Sequence, residues 1–411
     1  MQPTHVPTPP VVANKRGVHL LLDDGGACWP PEVWREHVEW AARLVGRGGY
    51  VVQLIRSDDL HPEVWQPFFD LLAREGLVPI VRLATRKNPE RQWWEAPTAD
   101  EDGRSYQAEA ERVRRFFDRI TWRTDRVLVT VGNEPNRPDE WGGSADPAAY
   151  ARYLRDVTGA LRRVSSLRVD VLNAGLDSYA PSTAGPSNVS LDPERFLEGM
   201  VAEAPEVFGM LDGWASHAYP LGPFGEHPTR QQFRIDDVRP GAAPRPTPPP
   251  GMPNRGINGY DWELWKLARL GVDRPLPVYV TESGWRHTRS QAPWSRDARN
   301  ADVEDDRLGQ YIELAFDGPR PGVDEELPQS ATTLTGGSYD VTGWTPWNLD
   351  PRVRAVALFA LAGRPDYWGH TNLLLLDPVG RILDAYPFAR RLASVRPGTG
   401  AERGPDGGDR R

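Results

Sequence analysis

Short stretches rich in β-branched apolar residues alternate along this chain with longer segments in which apolar residues recur every three or four positions. Eight short stretches stand out: Gly17 to Asp23, Tyr50 to Arg56, Val78 to Ala84, Val127 to Gly132, Val169 to Ala174, Leu211 to His217, Val278 to Thr281, and Val356 to Ala362. Val127-Leu128-Val129-Thr130-Val131 and Val278-Tyr279-Val280 are almost continuously apolar. That pattern predicts strands covered on both faces, as in a parallel sheet. Eight such units in succession predict an α/β chain closed into a (β/α)8 TIM barrel, one domain with loop insertions.

The longer segments carry helix signals. Asp146-Pro147 offers an N-cap followed by a proline at the first helical position, and Tyr150, Leu154, Val157 and Leu161 then share one face. Asp192-Pro193 repeats the device ahead of Phe196, Leu197 and Met200, and Pro62 opens a helix bearing Trp65, Phe68, Phe69 and Leu72. Two stretches break the rhythm, about 220–258, with Pro248-Pro249-Pro250-Gly251, and about 317–350, with Trp344 and Trp347. Both read as insertions. The first follows a strand and is expected on the strand C-terminal face, whereas the second precedes a strand and starts on the opposite one. Residues 1–16 read as a Pro/Thr-rich tail or linker, 17–398 as the barrel, and 399–411 as a disordered tail. No repeat of solenoid or propeller period occurs.

Composition narrows the chemistry. A net charge of −8 argues against nucleic acid, whose phosphates need clustered positive charge. No apolar run approaches the roughly 20 residues that span a bilayer, so no membrane partner is expected. Cys28 is the only cysteine, which excludes an intrachain disulfide and a zinc-type cysteine cluster. Nothing calls for a metal or a cofactor. Residues 1–16 hold no apolar core of signal-peptide length, so the chain reads as cytoplasmic or as one whose export signal has been removed. Oligomeric state stays open.

Two of the apolar runs end on a glutamate: Val131-Gly132-Asn133-Glu134-Pro135-Asn136 and Val280-Thr281-Glu282-Ser283-Gly284-Trp285. In a parallel barrel the strand C-terminal ends converge on one mouth, so residues from the fourth and seventh units can meet there. Cleavage of a glycosidic bond with retained stereochemistry needs such a pair, one carboxyl to protonate the leaving oxygen and one carboxylate to attack the sugar carbon, about 5 to 5.5 Å apart. Glu134 and Glu282 are the candidate catalytic residues.

These residues resemble those of the clan A glycoside hydrolases, a barrel superfamily that includes the cellulase-like family 5 and the xylosidase-like family 39. Asn133-Glu134-Pro135 is similar to the clan's strand-four motif, and Glu282 in Thr281-Glu282-Ser283-Gly284-Trp285 to its strand-seven nucleophile. The resemblance covers roughly Gly17 to Leu392. It implies that Glu134 is the acid/base, that Asn133 bonds the sugar 2-hydroxyl, and that Arg56 near the end of strand two and His217-Ala218-Tyr219 after strand six serve the site. It also implies that Trp368 forms the floor under the sugar, and that the segment Leu373 to Pro387 is the hairpin leading into the last helix. Strand three, Val81-Arg82-Leu83-Ala84-Thr85, lacks the histidine usual in family 5.

Plainer roles compete at several positions. Arg56 at a barrel mouth serves equally well in an ion pair with Asp23, Asp24 or Asp58, and Asp23 and Asp24 either contact sugar hydroxyls or cap the first helix. His217 and Tyr219 also fit a strand-end packing network. An indole face stacks on the C–H face of a pyranose, and Trp141, Trp285 and Trp368, which follow strands four, seven and eight, are the candidate platforms. Trp93-Trp94 divides evenly between platform and packing. Trp34, Trp40 and Trp65 belong to helix packing, and His19 to the core. The expected activity is retaining hydrolysis of a β-linked carbohydrate. Transglycosylation by the same residues and a non-catalytic carbohydrate-binding barrel are the alternatives, and glucan, mannan, xylan and smaller β-glycosides all remain open as ligands.

Overall fold

The structure is a computed structural model that describes residues 13–25, 28–185, 187–230, 255–287, 303–319, 330–332, 338–340 and 344–394. Eight parallel strands form the barrel: β1 (Arg16–Leu20), β2 (Tyr50–Arg56), β3 (Val78–Ala84), β4 (Arg126–Val131), β5 (Arg168–Leu172), β6 (Trp214–His217), β7 (Val278–Ser283) and β8 (Val353–Leu358). Hydrogen-bonded neighbours run β5-β4-β3-β2-β1-β8-β7-β6. The β5–β6 seam closes through a single bridge, Leu172 to Gly213. The Asn173 side chain completes it: Oδ1 accepts from the Ala215 N–H at 2.8 Å, and Nδ2 donates to the Ala215 carbonyl at 2.9 Å. A side-chain amide thus replaces a rung that short strands leave unmade.

Helices α1 (Pro31–Val45), α2 (Pro62–Glu75), α3 (Gln107–Arg119), α4 (Pro147–Leu161), α5 (Pro193–Glu203), α6 (Tyr260–Arg269), α7 (Asp305–Asp317) and α8 (Pro387–Ser394) follow the eight strands in turn. The caps form where the sequence placed them. Asp146 accepts from the Ala149 N–H and Asp192 from the Arg195 N–H, each worth about 1 kcal/mol to its helix. Trp34 stacks on Trp65 at 5.3 Å between α1 and α2, and both are buried. The main core lies between strands and helices. A second cluster, including Tyr50, Val52, Ile80, Leu128, Leu172, Ala215 and Tyr279, fills the barrel interior.

Seven strands coincide with the expected runs to within three residues at each end, and the eighth begins three residues early. The N-terminal boundary moves as well. Buried Lys15, expected in the tail, donates to the carbonyls of Trp347, Asn348 and Asp350 at 2.8 to 3.1 Å. Because Lys15 precedes β1, those contacts place the end of the second insertion at the strand N-terminal face, as its position before β8 implied. Of the described parts of the first insertion, residues 220–230 stay at the mouth, where Phe224 packs on Tyr219 and Tyr179 donates to the Pro220 carbonyl, and residues 255–258 turn away from it. Arg255 donates to the Ser178 carbonyl, but Trp347 donates to Ile257 and the Asn258 side chain is bonded to Thr345 on the far side. Its proline-rich centre and both chain ends lie outside the described residues. The hairpin Leu374–Leu376 with Ile382–Ala385 leads into α8. Among the described residues no helix is long and apolar enough to cross a membrane.

Candidate active site

Glu134 follows β4 on a tight turn. Gly132 has φ +96° and Glu134 itself φ +35°, a conformation that costs a residue with a Cβ about 1–3 kcal/mol and persists only where neighbours enforce it. Here the Glu134 N–H donates to the Gly175 carbonyl at 3.0 Å. Asn136, fully buried, donates to the carbonyls of Asp177 and Leu191 and accepts from the Asp177 N–H. The turn after β4 is therefore riveted to the loop after β5. Tyr150 of α4 adds a second rivet, donating to the Val131 carbonyl at 3.0 Å and accepting from the Ala174 N–H at 2.6 Å.

Glu282 lies within β7, three units away in the chain but at the same mouth. Oxygen atoms of Glu134 and Glu282 and a ring nitrogen of His217 all lie within 4.8 Å of one another. His217 ends β6, with Nδ1 2.8 Å from Glu134 Oε1 and 3.6 Å from Glu282 Oε2. Tyr219 donates its hydroxyl to Glu282 Oε2 at 2.8 Å. Glu134, Glu282, His217 and Tyr219 are exposed by 9%, 7%, 2% and 9%, so the constellation sits at the bottom of the mouth with little contact with water.

The two carboxylates are held differently. The Arg82 guanidinium, from β3, is hydrogen-bonded to Glu282 Oε1. Burial pushes the Glu282 carboxyl up, but Arg82, His217 and His19 outweigh it and bring it down to about 2. The Glu134 side chain has Arg137 Nη1 3.1 Å from Oε2, and Arg137 also pairs with Asp139 and approaches Asp177. Asp177 is pushed up to about 6 by burial and by Glu134. Half-buried Glu140 is pushed up to about 7 by burial, against the pull of Arg137. Burial, reinforced by Arg82, drops the fully buried His19 to about 3, which keeps it neutral.

Asn133 reaches the mouth beside Glu134. Its buried Oδ1 has no partner among the described residues. Trp368 is half-buried, donates Nε1 to Asp24 Oδ2 at 2.8 Å, and packs on the cluster of Leu21, Tyr219, Phe359 and Ala360. Three expected positions lie elsewhere. Arg56 pairs with Asp23 at 3.1 Å and Asp58 at 3.6 Å instead of reaching Glu282; its strand position points it into the loop after β1. Trp141 is 3% exposed and wedged against Tyr150 and Tyr153. Trp285 is 2% exposed, with Nε1 donating to the Glu226 carbonyl. Both indoles are buried in packing, leaving no face for a sugar. Trp93 and Trp94 form a small hairpin with Lys87 and Asn88. Trp94 packs on Leu54 and Ala84, and both rings press on glycines, Gly143 and Gly25.

Arg82, Arg137, Asp177 and Phe359 are neighbours of the site that the sequence reading did not select. Arg82 had a usable signal. A charge inside the apolar run Pro79-Ile80-Val81-Arg82-Leu83-Ala84 must be buried, and a buried charge persists only when paired. Phe359 directly follows β8, its N–H donating to the Ser283 carbonyl and its ring meeting His19 edge-on at 5.1 Å. Glu134, His217 and Glu282 are spaced like metal ligands. The donor set does not suit a divalent cation, because a guanidinium already lies on each carboxylate and would be driven against the ion.

No protein-family model matches the sequence, and no curated protein matches it either. Among solved structures the chain is similar to a family GH1 β-glucosidase from the fungus Humicola insolens in complex with glucose, at 11% identity and a TM-score of 0.48, covering 93% of this chain and 97% of that one. It is also similar to a family GH113 β-1,4-mannanase, at 11% identity and a TM-score of 0.43, with the same coverage. A family 1 β-glucosidase from Thermotoga maritima matches at 14% identity and a TM-score of 0.43, over 87% of this chain and 85% of that one. These neighbours are TIM-barrel clan A glycoside hydrolases, and the likeness is one of fold.

Proposed function

We propose that the protein is a retaining β-glycoside hydrolase in which Glu282 attacks the sugar carbon and Glu134 serves first as acid and then as base. The observation that carries this reading is the pair of carboxylates with oxygens within 4.8 Å of one another and unlike surroundings. Retaining enzymes hold their carboxyl groups about 5–5.5 Å apart, whereas inverting enzymes leave about 6.5–9.5 Å for a water. Arg82 and Tyr219 favour the anion of Glu282, as a nucleophile requires. Glu134, across the gap, is placed to protonate the departing oxygen. Once the glycosyl ester has formed, Glu134 takes a proton from the incoming water.

Asn133 Oδ1, buried and unpartnered among the described residues, serves in this reading as the acceptor for the sugar 2-hydroxyl, a contact that strengthens in the oxocarbenium-like transition state. Trp368 offers an indole beside the Tyr219 cluster. A carbohydrate is thus the ligand this geometry suits. Transglycosylation would use the same residues with a sugar hydroxyl in place of water. The test is an activated 2-deoxy-2-fluoro-β-glycoside followed by peptide mass spectrometry. A glycosyl ester on Glu282 is the expected product, and an ester on another residue, or a product of inverted configuration, rejects the reading.

A further inference from the structure

His217 is tied to both carboxylates at once, and that has a consequence for the proton that hydrolysis consumes. Its Nδ1, 2.8 Å from Glu134 Oε1 and 3.6 Å from Glu282 Oε2, faces a carboxyl oxygen of each glutamate. Arg137 lies on the other oxygen of Glu134. Both oxygens of Glu134 thus have a nitrogen partner, the imidazole at Oε1 and the guanidinium at Oε2. An acid catalyst must receive a proton at one of these oxygens. The group in contact with Glu134 that can supply and take back that proton is the imidazole.

Building on the double-displacement reading above, we propose that His217 stores, as an imidazolium, the proton that Glu134 delivers to the leaving group. In the first half-reaction the Nδ1–H bond breaks as an Oε1–H bond forms on Glu134. That proton then passes to the glycosidic oxygen while the bond from C1 to the leaving oxygen breaks and Glu282 bonds to C1. The imidazolium becomes neutral as the Glu282 carboxylate becomes a neutral ester, so the net charge of the site does not change. In the second half-reaction water adds to C1, Glu282 leaves as its carboxylate, and the water proton returns through Glu134 to His217.

The surroundings suit this role. Burial opposes a charge on His217, but Glu282 and Glu134 outweigh it and hold the imidazole above its ordinary range. Arg82 from β3 pulls the other way, and His19 from β1 is neutral. Asp177, in the loop after β5, and Glu263, on α6 behind β6, also lie within electrostatic reach. Tyr219, two residues on, keeps its proton because burial and Glu282 both raise it. The far edge of the ring rests on Gly175, where a Cβ would come within 2.5 Å of Nε2. The imidazole is therefore confined to the position between the two glutamates.

The test is nitrogen-15 NMR of the full-length protein labelled at histidine, with the His217 resonances assigned by loss in His217→Asn. Spectra are taken at pH 7 before and after trapping with 2,4-dinitrophenyl 2-deoxy-2-fluoro-β-glycosides of the gluco, manno and xylo series. Both ring nitrogens should be protonated in the resting enzyme, and one should lose its proton in the trapped ester. For His217→Asn, kcat/KM should fall about 100-fold or more on an aryl glycoside with a poor leaving group, and far less with the dinitrophenyl group, which departs without protonation. A neutral imidazole in the resting enzyme, or an imidazolium unchanged by trapping, overturns the proposal. Ester on Glu282 with such an imidazole removes this inference alone, whereas no ester with any of the three sugars removes the hydrolase reading and this with it. The resting spectrum of the parent decides even if the variant does not fold.

Discussion

The guanidinium of Arg82 on β3 is hydrogen-bonded to the carboxylate of Glu282 on β7, 200 residues later in the chain. Arg82 and Glu282 are 5% and 7% exposed, so the pair lies inside the barrel mouth. Removing one member of a buried ion pair typically costs 3–5 kcal/mol because the other charge stays buried and unpaired.

Arg82→Gln should therefore lower both stability and activity, and the stability it removes should depend on pH. Glu282 is depressed from 4.5 to about 2 in the folded chain. A depressed acid stabilises the fold above its unfolded pKa, and that contribution disappears as pH falls through the folded value. Urea melts of parent and variant should differ most above about pH 5 and converge toward about pH 2. Equal differences at both ends would show that Arg82 does not hold the Glu282 charge.

Arg56→Gln is the contrasting case. Arg56 pairs with buried Asp23 and with Asp58, and loss of a partner to a buried acceptor costs about 1–3 kcal/mol. The melting temperature should drop while kcat/KM stays within a few-fold of the parent. A large loss of kcat/KM with unchanged stability would return Arg56 to the site.

Gly175→Ala should slow the enzyme without unfolding it. An added Cβ would lie 2.1 Å from Cδ2 of His217, and small overpacking in a core costs about 1–3 kcal/mol. The ring must shift away from Glu134, so kcat should fall at least tenfold by roughly the loss expected for a misaligned proton carrier. Parental kcat in a folded variant would mean that His217 tolerates displacement.

Glu134→Gln tests the acid role by leaving-group dependence. Removal of an acid/base catalyst should reduce kcat about 10²- to 10⁴-fold for substrates whose leaving group needs a proton. Dinitrophenyl glycosides should still form the ester, and their turnover should then stall. Uniform loss across leaving groups would count against Glu134 as the acid.

Glu263→Gln should flatten the pH dependence of stability. Glu263 is buried on α6, accepts from Trp214 Nε1 at 2.7 Å, and is raised by burial from 4.5 to about 7. A raised acid favours the fold below its unfolded pKa, and the advantage is lost as pH rises through the folded value. The parent should lose stability between about pH 4.5 and 7 relative to the variant, as read by urea melts across that window. Parallel profiles would show that Glu263 ionises freely in the fold.

Local signals carried far in this chain. Strands buried on both faces must be continuously apolar, so eight runs announced eight strands, and Asp146-Pro147 and Asp192-Pro193 announced two helix starts because an N-cap needs only its own next turn. Glu134 and Glu282 were legible because each ends such a run, and in a parallel barrel the end of a strand is also the mouth. What sequence could not decide was which side chains meet across that mouth. Arg56 and Arg82 occupy neighbouring strands, and only the barrel's closure set which guanidinium reaches Glu282 and which turns to Asp23. Trp141 and Trp285 follow strands four and seven as a sugar platform would, but whether an indole faces solvent or packing depends on the helices and loops laid over it. Spacing along the chain determines the elements, whereas charge pairing and burial arise from contacts between residues as much as 200 positions apart.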